Sequence, residues 1–254
     1  MPSTDSSPRP HPSPLLATLP RFAIVMAVLI AIAAFPQSAL FTVDQIAVVG
    51  TSRLQPATVI AIAGLTRGER LFAVDAGAAL RRLRADARIK AAHVEIRPPH
   101  TVLVRIVERV PVVALAAGAG FALLGDDLVV VAVGPDASGL PEVVDRIRAV
   151  PWARPGAPVA SIAARAAVAA LPAIPPAMRA DLQRIVVADG GDLTLVLRSG
   201  IEVRAGGPTG LADRLAQVPH VLEALRARNV AASAIDLRYA GSIAVTLATG
   251  GEGR

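Results

Sequence analysis

Side chains that could carry catalysis or hold a metal are few and scattered along this sequence. The four histidines are His11, His93, His100 and His220, and there is no cysteine. A transition-metal site needs three or four such ligands close together, and the lack of thiols excludes disulfides and cysteine nucleophiles. We therefore expect neither a metal site nor a bound cofactor, and we interpret the histidines as exposed or structural.

Two charged pairs resemble catalytic groups at first sight. Asp126 and Asp127 could bind a cation, but they follow a glycine, and turn chemistry explains this arrangement better. Glu108 and Arg109 could be a catalytic pair, but an ion pair at the end of a strand or a contact between domains is the simpler interpretation. Lys90 is the only lysine, and neither G-x-x-x-x-G-K-[ST] nor G-x-S-x-G occurs. The sequence favours a binding protein with no small-molecule substrate over an enzyme.

The net charge of +6 has two interpretations. A basic protein can bind nucleic acid, but the charges are dispersed and aromatic residues make up only 3% of the chain, so few rings could stack on bases. An arginine-rich composition without nucleic-acid binding is the interpretation we prefer. The local exception, which we call the basic cluster, contains Arg81, Arg82, Arg84 and Arg88. It could contact acidic lipid headgroups or an acidic partner, or it could be a solvated surface.

An apolar run near the N-terminus indicates a membrane segment. Residues 1–20 are rich in Pro and Ser and predict a disordered tail. Phe22 to Phe35 is uninterrupted and apolar, with Leu29 near its middle, and the run extends to Leu40. The predicted transmembrane helix at residues 21–41 is about 30 Å long, enough to span a bilayer. The alternative is a cleaved signal peptide, but the preceding tail is long and the cleavage site is poor.

The distribution of arginines around this segment predicts its orientation. Arg9 and Arg21 precede the segment, and the first basic residue after it is Arg53. Because basic residues are more frequent on the cytoplasmic side, we expect a cytoplasmic N-terminus and extracytoplasmic domains.

The pattern after the membrane segment predicts an α+β protein, beginning with a βααββ domain at residues 42–111. A β-branched run ends at Gly50, and Pro56 and Gly64 mark the start and end of a helix. Asp75 is a plausible N-cap for a second helix, whose apolar spacing continues to Ala87. Two alternating runs on either side of a Pro-Pro turn then predict two strands.

Residues 112–248 predict an antiparallel β domain with flanking helices. Ser161 is a plausible cap for one helix. Apolar residues between Leu211 and Leu225 share one face of another helix, which Pro219 should kink or split. Alternating runs between residues 234 and 247 predict the last strands, and residues 249–254 predict a flexible tail.

Four segments of the sequence resemble one known family. They are V-x-x-I-x-V-x-G at Val43–Gly50, G-x-x-L-F-x-V-D at Gly68–Asp75, RPPHTVLVRIVERVPV at Arg97–Val112 and I-D-L-R-Y at Ile235–Tyr239. The first three are similar to the POTRA domain of the bacterial cell division family FtsQ/DivIB. The fourth is similar to the end of the β domain in that family.

The resemblance implies a single-pass type II protein of the cytoplasmic membrane at the division septum. It implies a scaffold that acts without turnover. The implied partners are FtsB-like and FtsL-like bitopic proteins and, through them, the septal peptidoglycan synthases. Three alternatives stay open: a POTRA component of an outer-membrane transport machine, a secreted enzyme with an unrecognised site, and a nucleic-acid-binding protein. Only one POTRA copy is visible, which disfavours the first.

The predicted partner site is the C-terminal strand region, which would pair edge to edge with an extended segment of an FtsB-like protein. Its predicted residues are Asp236, Leu237, Arg238, Tyr239, Gly241, Ser242, Ile243, Ala244, Val245 and Leu247. Tyr239 suits an interface hot spot, and Arg238 could bind a partner carboxylate. Relatives often have an aromatic residue in place of Leu247. The alternative is that Ile235, Leu237 and Tyr239 are ordinary core residues and Arg238 is solvated.

Overall fold

The structure is a computed structural model that describes residues 24–30, 41–145, 153–188, 190–239 and 242–248. The predicted tails at residues 1–20 and 249–254 lie outside the described residues, as do Phe22, Phe35, Leu40 and Gly241. Residues 24–30 are helical, and Leu29 within them is 53% exposed. Among the described residues, no helix has the length and apolar character needed to cross a bilayer. Most of the predicted transmembrane helix at residues 21–41 is not among them.

The N-terminal domain has the predicted order βααββ. Its elements are β1 (Gln45–Val49), α1 (Pro56–Ala63), α2 (Ala76–Ala85), β2 (Ile89–Arg97) and β3 (Thr101–Glu108). The sheet order is β1-β3-β2, with β3 parallel to β1 and antiparallel to β2. A short 3₁₀ turn, Leu71–Ala73, lies between the two helices.

Local chemistry explains where these elements begin and end. Pro56 occupies the first turn of α1, and Gly64 ends that helix in the left-handed conformation at φ 67°. The Asp75 carboxylate caps α2 by accepting a 2.8 Å hydrogen bond from the Ala78 N–H. The prediction that this helix continues to Ala87 is wrong. α2 ends at Ala85 because the next residue, an aspartate, has an extended backbone (ψ 124°).

The helices of the N-terminal domain cover one face of its sheet. Val59, Leu71, Leu83, Val102 and Val104 are fully buried between them. This core is formed by residues between Val43 and Ile106, and it shares no member with the core of the second sheet.

A nine-stranded sheet with helices forms the rest of the described chain. The strands are β4 (Pro111–Ala117), β5 (Gly120–Gly125), β6 (Val130–Gly134), β7 (Glu142–Asp145), β8 (Leu182–Val187), β9 (Leu193–Leu197), β10 (Glu202–Gly206), β11 (Ala232–Asp236) and β12 (Ala244–Leu247). The helices are α3 (Ile162–Ala170), α4 (Pro176–Ala180), α5 (Leu211–Ala216) and α6 (Val218–Ala227). The sheet order is β12-β11-β10-β9-β8-β7-β4-β5-β6.

The sheet is mixed, which corrects the prediction of an antiparallel β domain; the predicted flanking helices are present. β7 runs parallel to both β4 and β8, and β10 runs parallel to β11. Parallel neighbours need a long crossover. The helices α3 and α4 lie between β7 and β8, and α5 and α6 lie between β10 and β11, which supplies that length. The sequence analysis did not predict β7, which has only four residues and lies in a part of the chain rich in Pro and Gly.

The predicted helix signals in this region are confirmed. The Ser161 hydroxyl accepts a 3.0 Å hydrogen bond from the Ala164 N–H and so caps α3. Pro219 lies in the first turn of α6, where its missing N–H leaves no internal hydrogen bond unmade, and it splits the predicted helix in two. The alanine-rich face of α3, including Ala167, is buried against β4, β7 and β8.

Candidate partner-binding edge

The strand β12 forms one edge of the nine-stranded sheet, as the sequence predicted for the last strand. It pairs antiparallel with β11 on one side, and no other strand within the described residues pairs with its second side. The core holds β11 in place, because Ile235 is fully buried and Leu237, which directly follows the strand, is only 3% exposed. The edge strand therefore rests on a fixed neighbour.

The backbone groups of β12 alternate between the neighbouring strand and the open side. The Ala248 N–H donates to the Ala231 carbonyl at 2.9 Å. The register shift between β11 and β12 adds a residue, Ser233, to β11 and leaves β12 regular. Period-two alternation then directs the Thr246 N–H toward β11 and the Val245 and Leu247 N–H groups outward. These two donors are available to an added strand.

The side chains at this edge are exposed. All four residues of β12 are exposed, and Val245 and Leu247 lie on the same face because they are two residues apart. Leu247 is 57% exposed, and Ser242 is also exposed. Ile243 is half-buried and packs against the domain core. An incoming strand would meet a small apolar stripe.

Two of the predicted site residues are used within the chain. Arg238 is bound to Asp236, with 2.6 Å between Arg238 Nη2 and Asp236 Oδ2, and Nε of Arg238 donates to the same carboxylate. The hydrogen bond from the guanidinium, together with the nearby positive charge, lowers the pKa of Asp236. The predicted bidentate bond of Arg238 to a partner carboxylate would have to compete with this pair.

Tyr239 and Leu237 occupy different environments from those the strand alternation predicted. β11 ends at Asp236, so Tyr239 lies after the strand and is 64% exposed. Leu237 is buried, and its N–H donates to the Arg204 carbonyl at 2.9 Å. Leu237 therefore belongs to the core, whereas Tyr239 presents a large side chain with a polar tip at the surface.

The basic cluster is not a uniform set of free charges. The Nη1 of Arg82 donates to the Ala63 carbonyl at 3.2 Å and ties α2 to α1. Arg88 lies beyond the end of α2 and pairs with Asp86, where its hydrogen bond lowers the pKa of that carboxyl. Arg81 lies 3.9 Å from a carboxylate oxygen of Asp75.

At the domain junction, the Arg109 side chain contacts both domains. It is only 9% exposed. Its Nε donates to the Asp127 carboxylate at 3.0 Å, and its Nη1 donates to the carbonyls of Ala87 and Ile89. Asp127 belongs to the β5–β6 turn, whereas the two carbonyls belong to the N-terminal domain. This confirms the interpretation of Arg109 as a contact between domains.

Two further interactions lie near Arg109: an ion pair between Lys90 and Asp126, and hydrogen bonds to the Glu108 carboxylate from residues 52–54. The Lys90 ammonium is 2.7 Å from the Asp126 carboxylate and joins the same two domains. Glu108 does not pair with Arg109. Burial alone would raise the Glu108 pKa, but hydrogen bonds from the N–H groups of Leu54, Ser52 and Arg53 and from the Ser52 hydroxyl lower it to about 2. The sequence signalled both residues but not their separate roles.

The described residues contain no group of three or more His, Asp or Glu side chains that could hold a metal ion. His100 lies beside Asp44, with 3.6 Å between Nδ1 and the carboxylate, and no other described histidine has a carboxylate oxygen within 4 Å.

A βααββ domain followed by a mixed sheet with an open edge strand defines a two-domain protein of the POTRA-and-β-sheet class. The family model for the FtsQ-type POTRA domain matches residues 41–109. The model for the C-terminal region of the cell division proteins FtsQ/DivIB matches residues 114–238. The chain belongs to the FtsQ/DivIB family of cell division proteins.

One curated relative is the cell division protein FtsQ of Mycobacteroides abscessus. The two sequences are 35% identical over 102 residues, which cover 40% of this chain. The aligned part spans only 33% of that relative's length.

Proposed function

We propose that this protein is a single-pass membrane scaffold of the division machinery that acts by binding and has no catalytic turnover. Its partners would be FtsB-like and FtsL-like bitopic proteins, and it would regulate septal peptidoglycan synthesis through them at the septum. Membership of the FtsQ/DivIB family supports a role in cell division. The observation that carries the binding mechanism is the open edge of β12.

Strand addition is the binding mode that suits this edge. The outward N–H groups of Val245 and Leu247 would donate to carbonyls of an extended partner segment and give affinity. The exposed side chains of the same two residues would contact alternate partner side chains and give specificity. Tyr239 is exposed and lies between β11 and β12 in the sequence, so its side chain would extend the contact beyond the strand.

A proline substitution tests strand addition. Val245→Pro removes an outward N–H, and edge strands tolerate proline where the N–H faces solvent. Val245→Ala is the matched control, because it shortens the side chain but keeps the N–H. We expect Val245→Pro to weaken binding of the full chain to an FtsB-like protein by about tenfold, since one lost hydrogen bond costs roughly 1 kcal/mol and a steric conflict adds to it.

The same binding measurement can reject the proposal. Both variants should keep the melting temperature of the native protein within a few degrees, because the Val245 N–H points away from β11, the one strand that pairs with β12 among the described residues. Equal affinity of the Val245→Pro and Val245→Ala variants would reject strand addition at β12. Ala244 is a poor proline site, because its N–H faces β11, and Ser242 is another, because its N–H donates to the Tyr239 carbonyl at 3.3 Å.

Tyr239 tests the contribution of side chains. Because it is 64% exposed, truncation to Ala should leave folding intact. If Tyr239 is a hot spot, the variant should lose on the order of 2 kcal/mol of binding free energy. A sharp fall in melting temperature together with normal partner affinity of the folded fraction would place the site elsewhere.

The membrane anchor is part of the proposal and rests on the apolar sequence from Phe22 to Leu40. We infer a cytoplasmic N-terminus and extracytoplasmic domains from Arg9 and Arg21, which precede the segment. Protease added to intact spheroplasts should digest the chain from Phe41 onward and spare the tail. Protection of the two domains would reject this topology.

We further propose the basic cluster as a secondary contact with acidic lipid headgroups or an acidic partner. Arg84 carries this proposal best, because it is exposed and makes no ion pair within the part of the chain that the structure describes.

A further inference from the structure

The chain segment that directly follows the apolar stretch is tied to one loop of the N-terminal domain. We call residues 66–73 the 66–73 loop. The Leu71 N–H donates to the Phe41 carbonyl at 2.8 Å, and the Val43 N–H donates to the Glu69 carbonyl at 2.8 Å. The Gly68 N–H donates to the Val43 carbonyl at 2.9 Å. These three backbone bonds hold the loop beside the start of the domain.

An aromatic side chain of this loop is exposed. Phe72 is 52% exposed, although its neighbour Leu71 is fully buried and Val74 is 7% exposed. The Phe72 ring packs against Phe41, with 5.2 Å between ring centroids and 55° between ring planes. Phe41 is the residue that follows Leu40, the last residue of the apolar stretch. The apolar surface of Phe72 is therefore continuous with the beginning of the domain.

The charges around Phe72 are of both signs. Arg67 and Arg70 are exposed, and neither forms an ion pair among the residues that the structure describes. Glu69 accepts a 3.3 Å hydrogen bond from the Thr66 hydroxyl. The loop thus presents one aromatic ring flanked by two guanidinium groups, the combination that suits the headgroup region of a bilayer.

We propose that the 66–73 loop is a membrane-contact site, in which Phe72 inserts into the bilayer interface and Arg67 and Arg70 bind lipid phosphate groups. This inference rests on the proposed single-pass anchor. If the apolar stretch spans the bilayer, Phe41 lies where the chain enters water, and the Phe41–Phe72 contact places Phe72 at the same depth. Guanidinium groups donate well to phosphate oxygens.

The contact would restrict the orientation of the N-terminal domain. A domain attached through one flexible point can tilt freely, whereas a second contact through Phe72 fixes which side faces the membrane. The backbone bonds between the loop and residues 41–43 make both contacts part of one rigid unit.

Because the chain has no cysteine, single-cysteine variants allow a direct test. The full chain is placed in lipid nanodiscs, and an environment-sensitive fluorophore is attached at Phe72→Cys, Leu29→Cys or Ile162→Cys. Leu29 reports on the anchor, and Ile162 is a control that is exposed in the second domain (77%). We expect blue-shifted emission and quenching by spin-labelled lipid at positions 72 and 29, and neither effect at position 162.

The outcomes separate this inference from the anchor on which it rests. Quenching at position 29 with water-like emission at position 72 would overturn the loop contact alone. Water-like emission at position 29 would overturn the anchor and the loop contact with it.

A second variant excludes insertion caused by the fluorophore itself. The fluorophore at Arg67→Cys is compared with native Phe72 and with Phe72→Asp, which removes the aromatic ring from a half-exposed position. Spin-labelled lipid should quench the native form more strongly than the Phe72→Asp form. Equal quenching in the two forms would also overturn the proposal.

Discussion

Replacing Arg109 with Ala should weaken the connection between the two domains. The side chain is 9% exposed, and it joins Asp127 to the carbonyls of Ala87 and Ile89. The change removes the Arg109 donor from two carbonyls and from a partly buried carboxylate, which keeps only the long 3.4 Å hydrogen bond from the Val129 N–H. Because removing one partner of such a charged pair costs several kcal/mol when buried and less when solvent reaches it, we expect a loss of about 3 kcal/mol.

Thermal unfolding of the full chain in detergent, followed by circular dichroism, measures this loss. For a chain of this size, about 3 kcal/mol corresponds to a fall in melting temperature of roughly 6–12 °C. Arg105→Ala is the matched control. Arg105 is 50% exposed and pairs with Glu95, which keeps a second partner in Arg97. A solvent-exposed pair of this kind contributes little to stability, so we expect almost no change in melting temperature for Arg105→Ala.

Comparing the two variants tests whether Arg109 joins the domains. A similar small shift for Arg109→Ala and Arg105→Ala would refute the role of Arg109 as a contact that joins the domains. A double-mutant cycle with Asp127→Asn should give a coupling of about 1–2 kcal/mol, because the two side chains interact directly. Additive effects would instead show that Arg109 acts only through the carbonyls.

Three further predictions concern the N-terminal domain. Because the Glu108 pKa is lowered from 4.5 to about 2, its carboxylate stabilises the folded domain fully above pH 4.5, and this stabilisation is lost as the pH falls toward 2. The melting temperature of Glu108→Gln should therefore fall less than that of the native protein across this range, and an equal fall in both would contradict the prediction. Gly50→Ala should unfold the N-terminal domain or lower its free energy of unfolding by several kcal/mol, because φ is 91° at Gly50 and a Cβ would lie 2.0 Å from the Ile106 carbonyl oxygen. Thermal unfolding followed by circular dichroism measures this, and a melting temperature close to that of the native protein would contradict it. Neutralising the basic cluster should reduce recruitment to the septum, measured by fluorescence microscopy, and should change the melting temperature only slightly, because exposed charges add little stability. Normal recruitment of a folded variant would show that the cluster is only a solvated surface.

Local signals predicted the N-terminal domain well because each has a short-range cause. Pro56, Gly64 and Asp75 act on backbone groups within one helical turn, so their effects can be predicted without knowing the tertiary structure. The end of α2 could not be predicted this way. Ala87 continues the apolar spacing, but the extended backbone at Asp86 and its bonds with Arg88 stop the helix before that position.

Strand pairing in the second domain was harder to predict, because direction and neighbour depend on contacts distant in sequence. Alternation identified most strands, but nothing local shows that β7 lies between β4 and β8. At the candidate site, the sequence predicted an edge strand. It did not show that β11 ends before Tyr239, or that Arg238 pairs with Asp236. Both depend on how the chain turns toward β12.

Amide hydrogen exchange of the full chain, with and without a saturating FtsB-like partner, tests the central claim most directly. If the partner adds a strand to β12, the amides of Val245 and Leu247 should change from fast to slow exchange. The Thr246 amide, which already faces β11, should change much less. Equally fast exchange of Val245 and Leu247 in the free and bound states would contradict the proposal that this edge is the partner-binding site.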